Sequence, residues 1–198
     1  MTTVARDQFS KIISELNDPI WRLAAYGQIF VGGDADQNDT VTGQTSFAAT
    51  TPTWIIDVPD GITIIPLWVD LSQTGTVAGG DIELVIEIDD ADRYNTGGTS
   101  ETVLSTRTSG GNTNQCLIRS GATANAGFGQ RVFSADIAAD VSPAEGILPG
   151  PLWVPVTPMF LVGPAGFLVY TWAGTTGPTW LWSVGWAEIN SASLPGVR

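Results

Sequence analysis

The chain has 198 residues, of which 43% are hydrophobic and only 14% are charged, and its formal net charge is −12. This length suits one domain with a sizeable core, and 23 glycines and 12 prolines are typical of a β-rich chain with many turns. Only eight residues are basic, which disfavours binding to nucleic acid or to an anionic membrane surface. The lack of histidine excludes Ser-His-Asp and Cys-His catalysis and the common zinc sites, and no cofactor is expected.

The N-terminal stretch predicts a short helix. Four apolar residues recur at the i, i+3, i+4 and i+7 spacing of one helix face, namely Phe9, Ile12, Ile13 and Leu16. We expect residues 1–26 to form a helical arm, which docks on its own domain or on a neighbouring copy because so short a helix is marginal alone. The stretch lacks the apolar core of a signal peptide, and no run is long enough to span a membrane. We therefore expect synthesis in the cytoplasm without export.

An acidic loop follows the arm. Its oxygen-bearing side chains are Asp34, Asp36, Asn38 and Asp39. Calcium prefers several oxygen ligands from one loop, but the EF-hand pattern fails because Asp39 replaces its glycine and Thr45 its glutamate. A plain hydrophilic loop is the first interpretation, and a weak surface cation site is the alternative.

Strand signals repeat over residues 27–198 without an intervening helical pattern, so we expect one β-domain there. Pro59-Asp60-Gly61 predicts a turn, and Pro66 predicts an edge position or a bulge. The sequence GTTGP, residues 174–178, predicts an antiparallel hairpin between two apolar strands. About nine to eleven short strands predict an all-β fold, and we expect a jelly-roll-like antiparallel β-sandwich with a short N-terminal helix.

Alternation is clearest in DIELVIEID, residues 81–89. One face carries isoleucine and leucine, and the other carries acidic residues together with Val85. We interpret Glu83, Glu87 and Asp89 as a solvated face. A carboxylate pair for glycoside hydrolysis, ion binding and a subunit contact are the alternatives. The one cysteine, Cys116, is expected to be a buried, inert thiol.

The sequence TWLWSVGWAEI, residues 179–189, predicts a strand with a tryptophan stripe. With a period of two, Trp180, Trp182 and Trp186 share one face. Three interpretations remain open for these indoles: a hydrophobic core, a subunit interface, and a platform on which a glycan stacks. The apolar face of the N-terminal arm is likewise a candidate subunit contact.

The run TWIIDVPDGITIIPLWVDL, residues 53–71, resembles a segment of uncharacterised bacteriophage structural proteins, in which a strand ending in V-P-x-G precedes an I-P-L strand. The resemblance implies a non-enzymatic virion component, either a capsid, a decoration or a head-associated protein. It also implies a homotrimer whose partners are other copies and other virion proteins. A carbohydrate- or receptor-binding module with a glycan partner is the alternative, and a carboxylate-dependent hydrolase is a third hypothesis.

Overall fold

The computed structural model describes residues 19–33, 39–74, 77, 81–138 and 153–194. Two antiparallel β-sheets pack face to face as a sandwich, and the described residues include one short α-helix, α1 (Pro19–Ala25), which confirms the predicted fold class. The strands of the described residues are β1 (Ile29–Gly33), β2 (Val41–Thr42), β3 (Trp54–Val58), β4 (Ile62–Gln73), β5 (Asp81–Asp89), β6 (Tyr94–Ser100), β7 (Thr102–Ser105), β8 (Leu117–Ala124), β9 (Gln130–Ala138), β10 (Leu161–Val162), β11 (Ala165–Ala173) and β12 (Thr179–Asn190).

The strand order is that of a jelly roll with an insertion. Sheet A runs β10-β4-β12-β1-β7, with β2 beside β12, and sheet B runs β6-β8-β3-β11-β5-β9. The frame β1-β12-β4-β10 facing β3-β11-β5-β9 is the order of an eight-stranded jelly roll. The inserted β6, β7 and β8 extend both sheets on one side. The other side ends in β9 of sheet B and β10 of sheet A.

The bulge that Pro66 predicts is present. Trp186 pairs with Pro66 and Gly185 pairs with Trp68, so Leu67 is an extra residue in β4. Proline lacks a backbone N–H, and a bulge is one of the few places where a long strand tolerates it.

The hairpin predicted at residues 174–178 is wrong. β11 belongs to sheet B and β12 to sheet A, so this connection crosses from one sheet to the other. Each of these strands is flanked on both sides within its own sheet, β11 by β3 and β5 and β12 by β1 and β4. Short loops and apolar strands suit a crossing between sheets as well as a hairpin, which is why the local signal misled.

The main core lies between the sheets, and smaller apolar clusters lie on their outer faces. On sheet B, Phe47 packs at 5.2 Å from the Tyr170 ring and covers a cluster that includes Val85. On sheet A, Leu23 and Ala24 of α1 pack against a cluster of buried sheet residues. The solvated face predicted for β5 therefore needs correction, because Val85 and Glu87 on that face are both buried.

Candidate functional site

The tryptophan stripe lies in the core. Trp180, Trp182 and Trp186 are 1%, 5% and 0% exposed, which matches the core interpretation among the three left open by the sequence. The Trp182 indole stacks on Trp54 of the opposite sheet with ring centroids 5.0 Å apart. These indoles are covered by their own chain, so they do not offer the subunit or ligand face that was the alternative prediction. The glycan-binding hypothesis loses its main support with them.

The other sequence-predicted residues are described only in part. Phe9, Ile12, Ile13 and Leu16 lie outside the described residues, and so do Asp34, Asp36 and Asn38. Asp39 is described and exposed. In the described parts of the chain, no three Asp, Glu or Cys side chains come together in a way that could hold a metal ion. The described helices include none that is long and apolar enough to cross a membrane.

Glu188 is a buried carboxylate with three hydrogen-bond donors around it. Its Oε1 accepts from Trp186 Nε1 at 2.9 Å and from the Cys116 backbone N–H at 3.3 Å, and its Oε2 accepts from the Gln115 backbone N–H at 2.7 Å. The carboxylate therefore ties β12 to the segment before β8. Burial, and then the charge of Glu188, raise the pKa of the Cys116 thiol well above its usual range. Cys116 is 1% exposed, which confirms the prediction that it is buried.

Arg93 is a buried guanidinium that joins two loops, residues 43–53 and 125–129, to the end of β5. Its Nη1 donates to Asp89 Oδ2 at 2.7 Å, and both side chains are largely buried. It also donates to three backbone carbonyls, those of Ala49, Asn125 and Gly127. Asp89 is thus part of an ion pair rather than a solvated carboxylate. Glu87 is only 4% exposed, and its Oε2 has no hydrogen-bond partner among the described residues.

Asp57 is a partly buried carboxyl group on the outer face of sheet B. Burial is the main reason that the pKa of Asp57 rises from 3.8 to about 6; the charge of Asp92 and a hydrogen bond to it add to the shift, and Arg119 opposes it. The Arg119 guanidinium lies 5.1 Å from the centre of the Tyr94 ring. The pKa of Asp57 therefore lies much closer to neutral pH than that of an ordinary aspartate.

A concave, partly apolar surface lies where β9 and β10 end the two sheets. A hollow of about 460 Å³ opens there between the end of β5, the start of β9, and β10. Its walls include Phe128, Phe160 and Val162, which are 80%, 53% and 37% exposed. Asp89 and Asp90 contribute acidic groups to the same hollow. Exposed large apolar side chains gathered around one hollow are typical of a protein-interaction surface.

Sequence reasoning missed this surface. Phe128 stands alone between two glycines in GFG, so no alternation shows which way its side chain faces. Phe160 and Val162 follow a proline-rich connection, residues 142–158, that predicts only short edge pieces. Sequence neighbours do not reveal that these residues meet, because β9 and β10 belong to different sheets. The sequence signal is limited to the short apolar run of residues 160–162, of which Leu161 and Val162 form β10.

No protein-family model, no curated protein and no solved structure matches this chain.

Proposed function

We propose that this chain is a non-enzymatic structural protein of a bacteriophage virion, and that its function is to assemble with copies of itself. The observation that carries the proposal is the open side of the sandwich. There both sheets end, in β9 and β10, and Phe128, Phe160 and Val162 are exposed around one hollow. Unpaired strand edges and clustered apolar side chains are the features through which β-proteins associate.

The buried charged groups support a structural role. Glu188 and Arg93 make several hydrogen bonds each, and each one fixes loops to a strand end. Such groups hold a rigid shape, which a subunit of a regular assembly needs. Carboxylates used in this way are engaged by backbone and side-chain donors rather than held ready for proton transfer.

The phage assignment comes from the resemblance of residues 53–71. In that setting the protein is a capsid, decoration or head-associated protein, made in the host cytoplasm and located in the virion. Its partners are further copies, as a homotrimer, and other virion proteins. The net charge of −12 suits a surface that faces away from nucleic acid.

Light scattering after size-exclusion chromatography tests the proposal directly. A stable species at a multiple of the 20.8 kDa chain mass is expected, and three copies would give roughly 62 kDa. The measurement is made at about 100 μM protein, so that even a contact of modest affinity is populated. A monomer under these conditions would contradict self-assembly as the function.

A further inference from the structure

We infer that β9 is the edge through which two copies pair, antiparallel and about a two-fold axis at Ser134, so that sheet B of one copy continues into sheet B of the other. The inference rests on the proposed self-assembly and names one surface that contributes to it. Because a two-fold contact joins copies in pairs, in a homotrimer it joins copies that belong to different trimers. The occupant of this edge is a second copy of the same chain.

β9 is a long edge strand. β9 runs over nine residues, Gln130–Ala138, and among the described residues it pairs only with β5. Natural sheets protect an edge with proline, with charged side chains such as lysine, with a bulge, with a covering helix or loop, or by keeping the edge strand short. β9 has neither proline nor lysine, and its one irregularity is a bulge at Val132, near its start. Within the described parts of the chain, no strand pairs with the other side of β9.

Charged side chains of opposite sign stand near the two ends of β9. Arg131 pairs with Glu87 and Asp136 pairs with Glu83. Glu83 and Glu87 are four residues apart on β5, so Arg131 and Asp136 project from the same outer face of sheet B. Both are exposed. Within its own chain Asp136 stands opposite another acid, Glu83, and directly opposed like charges are unfavourable across strands.

This charge pattern on β9 is self-complementary. Because Val132 is the extra residue of the bulge, an antiparallel pair centred on Ser134 places Arg131 of each copy opposite Asp136 of the other. The same register places Phe133 opposite Ala135, both of which are partly exposed. Each arginine then meets the acidic pair of the other copy. A two-fold contact repeats every such favourable pair twice.

The hollow beside the edge fits the same contact. β10 ends sheet A on the side where β9 ends sheet B, and the hollow lies between them. A second copy that extends sheet B also approaches this hollow and covers Phe128 and Phe160. The contact thus has a backbone-paired layer and an apolar layer.

A cysteine on the axis tests the pairing. In Ser134→Cys the two thiols stand opposite each other, with Cβ atoms about 4.5–5.5 Å apart, and a small adjustment brings them within disulfide range. Under mild oxidation we expect a covalent dimer on a non-reducing gel, while the native Cys116 stays buried. The matched control is Asp70→Cys, an exposed position on β4 of the other sheet, which should remain monomeric on the gel. Equal cross-linking of the two variants would overturn the inference.

Charge reversal tests the register. Asp136→Arg places two arginines together at both ends of the contact, and we expect the dissociation constant to rise about tenfold. The double variant Arg131→Asp with Asp136→Arg restores complementarity and should restore the wild-type constant, whereas Asp70→Arg should leave it unchanged. An unchanged constant for the single reversal, or no recovery in the double variant, would refute the register.

The two proposals fail in different ways. An oligomeric wild type in which Ser134→Cys does not cross-link would refute the β9 contact and leave self-assembly in place. A monomeric wild type in which Ser134→Cys does not cross-link would refute both.

Discussion

The buried carboxylate of Glu188 gives the sharpest prediction about stability. Replacement by alanine removes the acceptor of three donors, of which the Trp186 Nε1–H and the Cys116 N–H are buried. An unsatisfied buried donor costs about 1–3 kcal/mol. Removing the charge also ends its desolvation penalty, which offsets part of that cost. We expect Glu188→Ala to lower the free energy of unfolding by about 3–5 kcal/mol, a large part of the roughly 5–15 kcal/mol of a typical domain.

A glutamine at the same position should be intermediate. One amide oxygen still accepts from Trp186 and Cys116, but the amide NH₂ then faces the Gln115 N–H, so about 1–2 kcal/mol is lost. Urea titrations followed by far-ultraviolet circular dichroism measure both variants. Glu83→Ala, at an exposed glutamate on β5, is the control and should stay within about 0.5 kcal/mol of the wild type. If Glu188→Ala costs less than about 1 kcal/mol, the carboxylate is not the stabilising link that its three contacts indicate.

Three further outcomes follow from the structure. Because the pKa of Asp57 is about 6 in the folded chain, against an ordinary value of 3.8, its protonated form favours folding, and that stability is lost as the pH rises from about 4 through 6. At pH 8 the free energy of unfolding of Asp57→Asn, measured by urea titration, should therefore exceed that of the wild type by about 1–2 kcal/mol after solvent screening, and at pH 3.5 the two should be equal. A difference in the free energy of unfolding that stays constant with pH would contradict this. Gly185→Ala should cost about 1–3 kcal/mol, because the added Cβ overlaps the Trp68 ring, and the cost should vanish in a Trp68→Ala background. Deletion of residues 1–22 should leave the circular dichroism of the β-domain unchanged, since no residue of α1 is fully buried. The same deletion should weaken oligomerisation, as measured by light scattering. Unchanged assembly would count against a role of the N-terminal arm in subunit contact.

Strands with two distinct faces could be predicted well from the sequence. Residues 179–189 predict a strand, and β12 spans Thr179–Asn190. The prediction succeeds because a period of two places all the indoles of the stripe on one face, and that face is buried. The turn at residues 59–61 is also present, with Gly61 at φ +80° and the Ile62 N–H bonded to the Pro59 carbonyl. In both cases the signal is local, since alternation and turn chemistry act over a few residues.

The environment of β5 could not be predicted from its own residues. Glu87 has the spacing of a solvent-facing acid, yet residues near Phe47 and the Arg93 ion pair lie over that part of the sheet. The covering segment is about forty positions away in sequence and is brought there by the topology. The same limit applies to the β9 edge and its hollow, since the sequence of a strand does not say which neighbour it lacks.

The strand order also has a consequence for the timing of folding. β11 and β12 lie in the middle of sheets B and A, and each joins strands that occur much earlier in the sequence. Until residues 165–190 have left the ribosome, β3 and β5 have no strand between them, and neither do β1 and β4. The sandwich therefore closes only late in synthesis, and such non-local pairing is intrinsically slow. During that interval β1, β3, β4 and β5 expose apolar faces, because their neighbours β11 and β12 are not yet in place. Chaperone binding or rapid translation of the final strands is therefore important for the yield of folded protein.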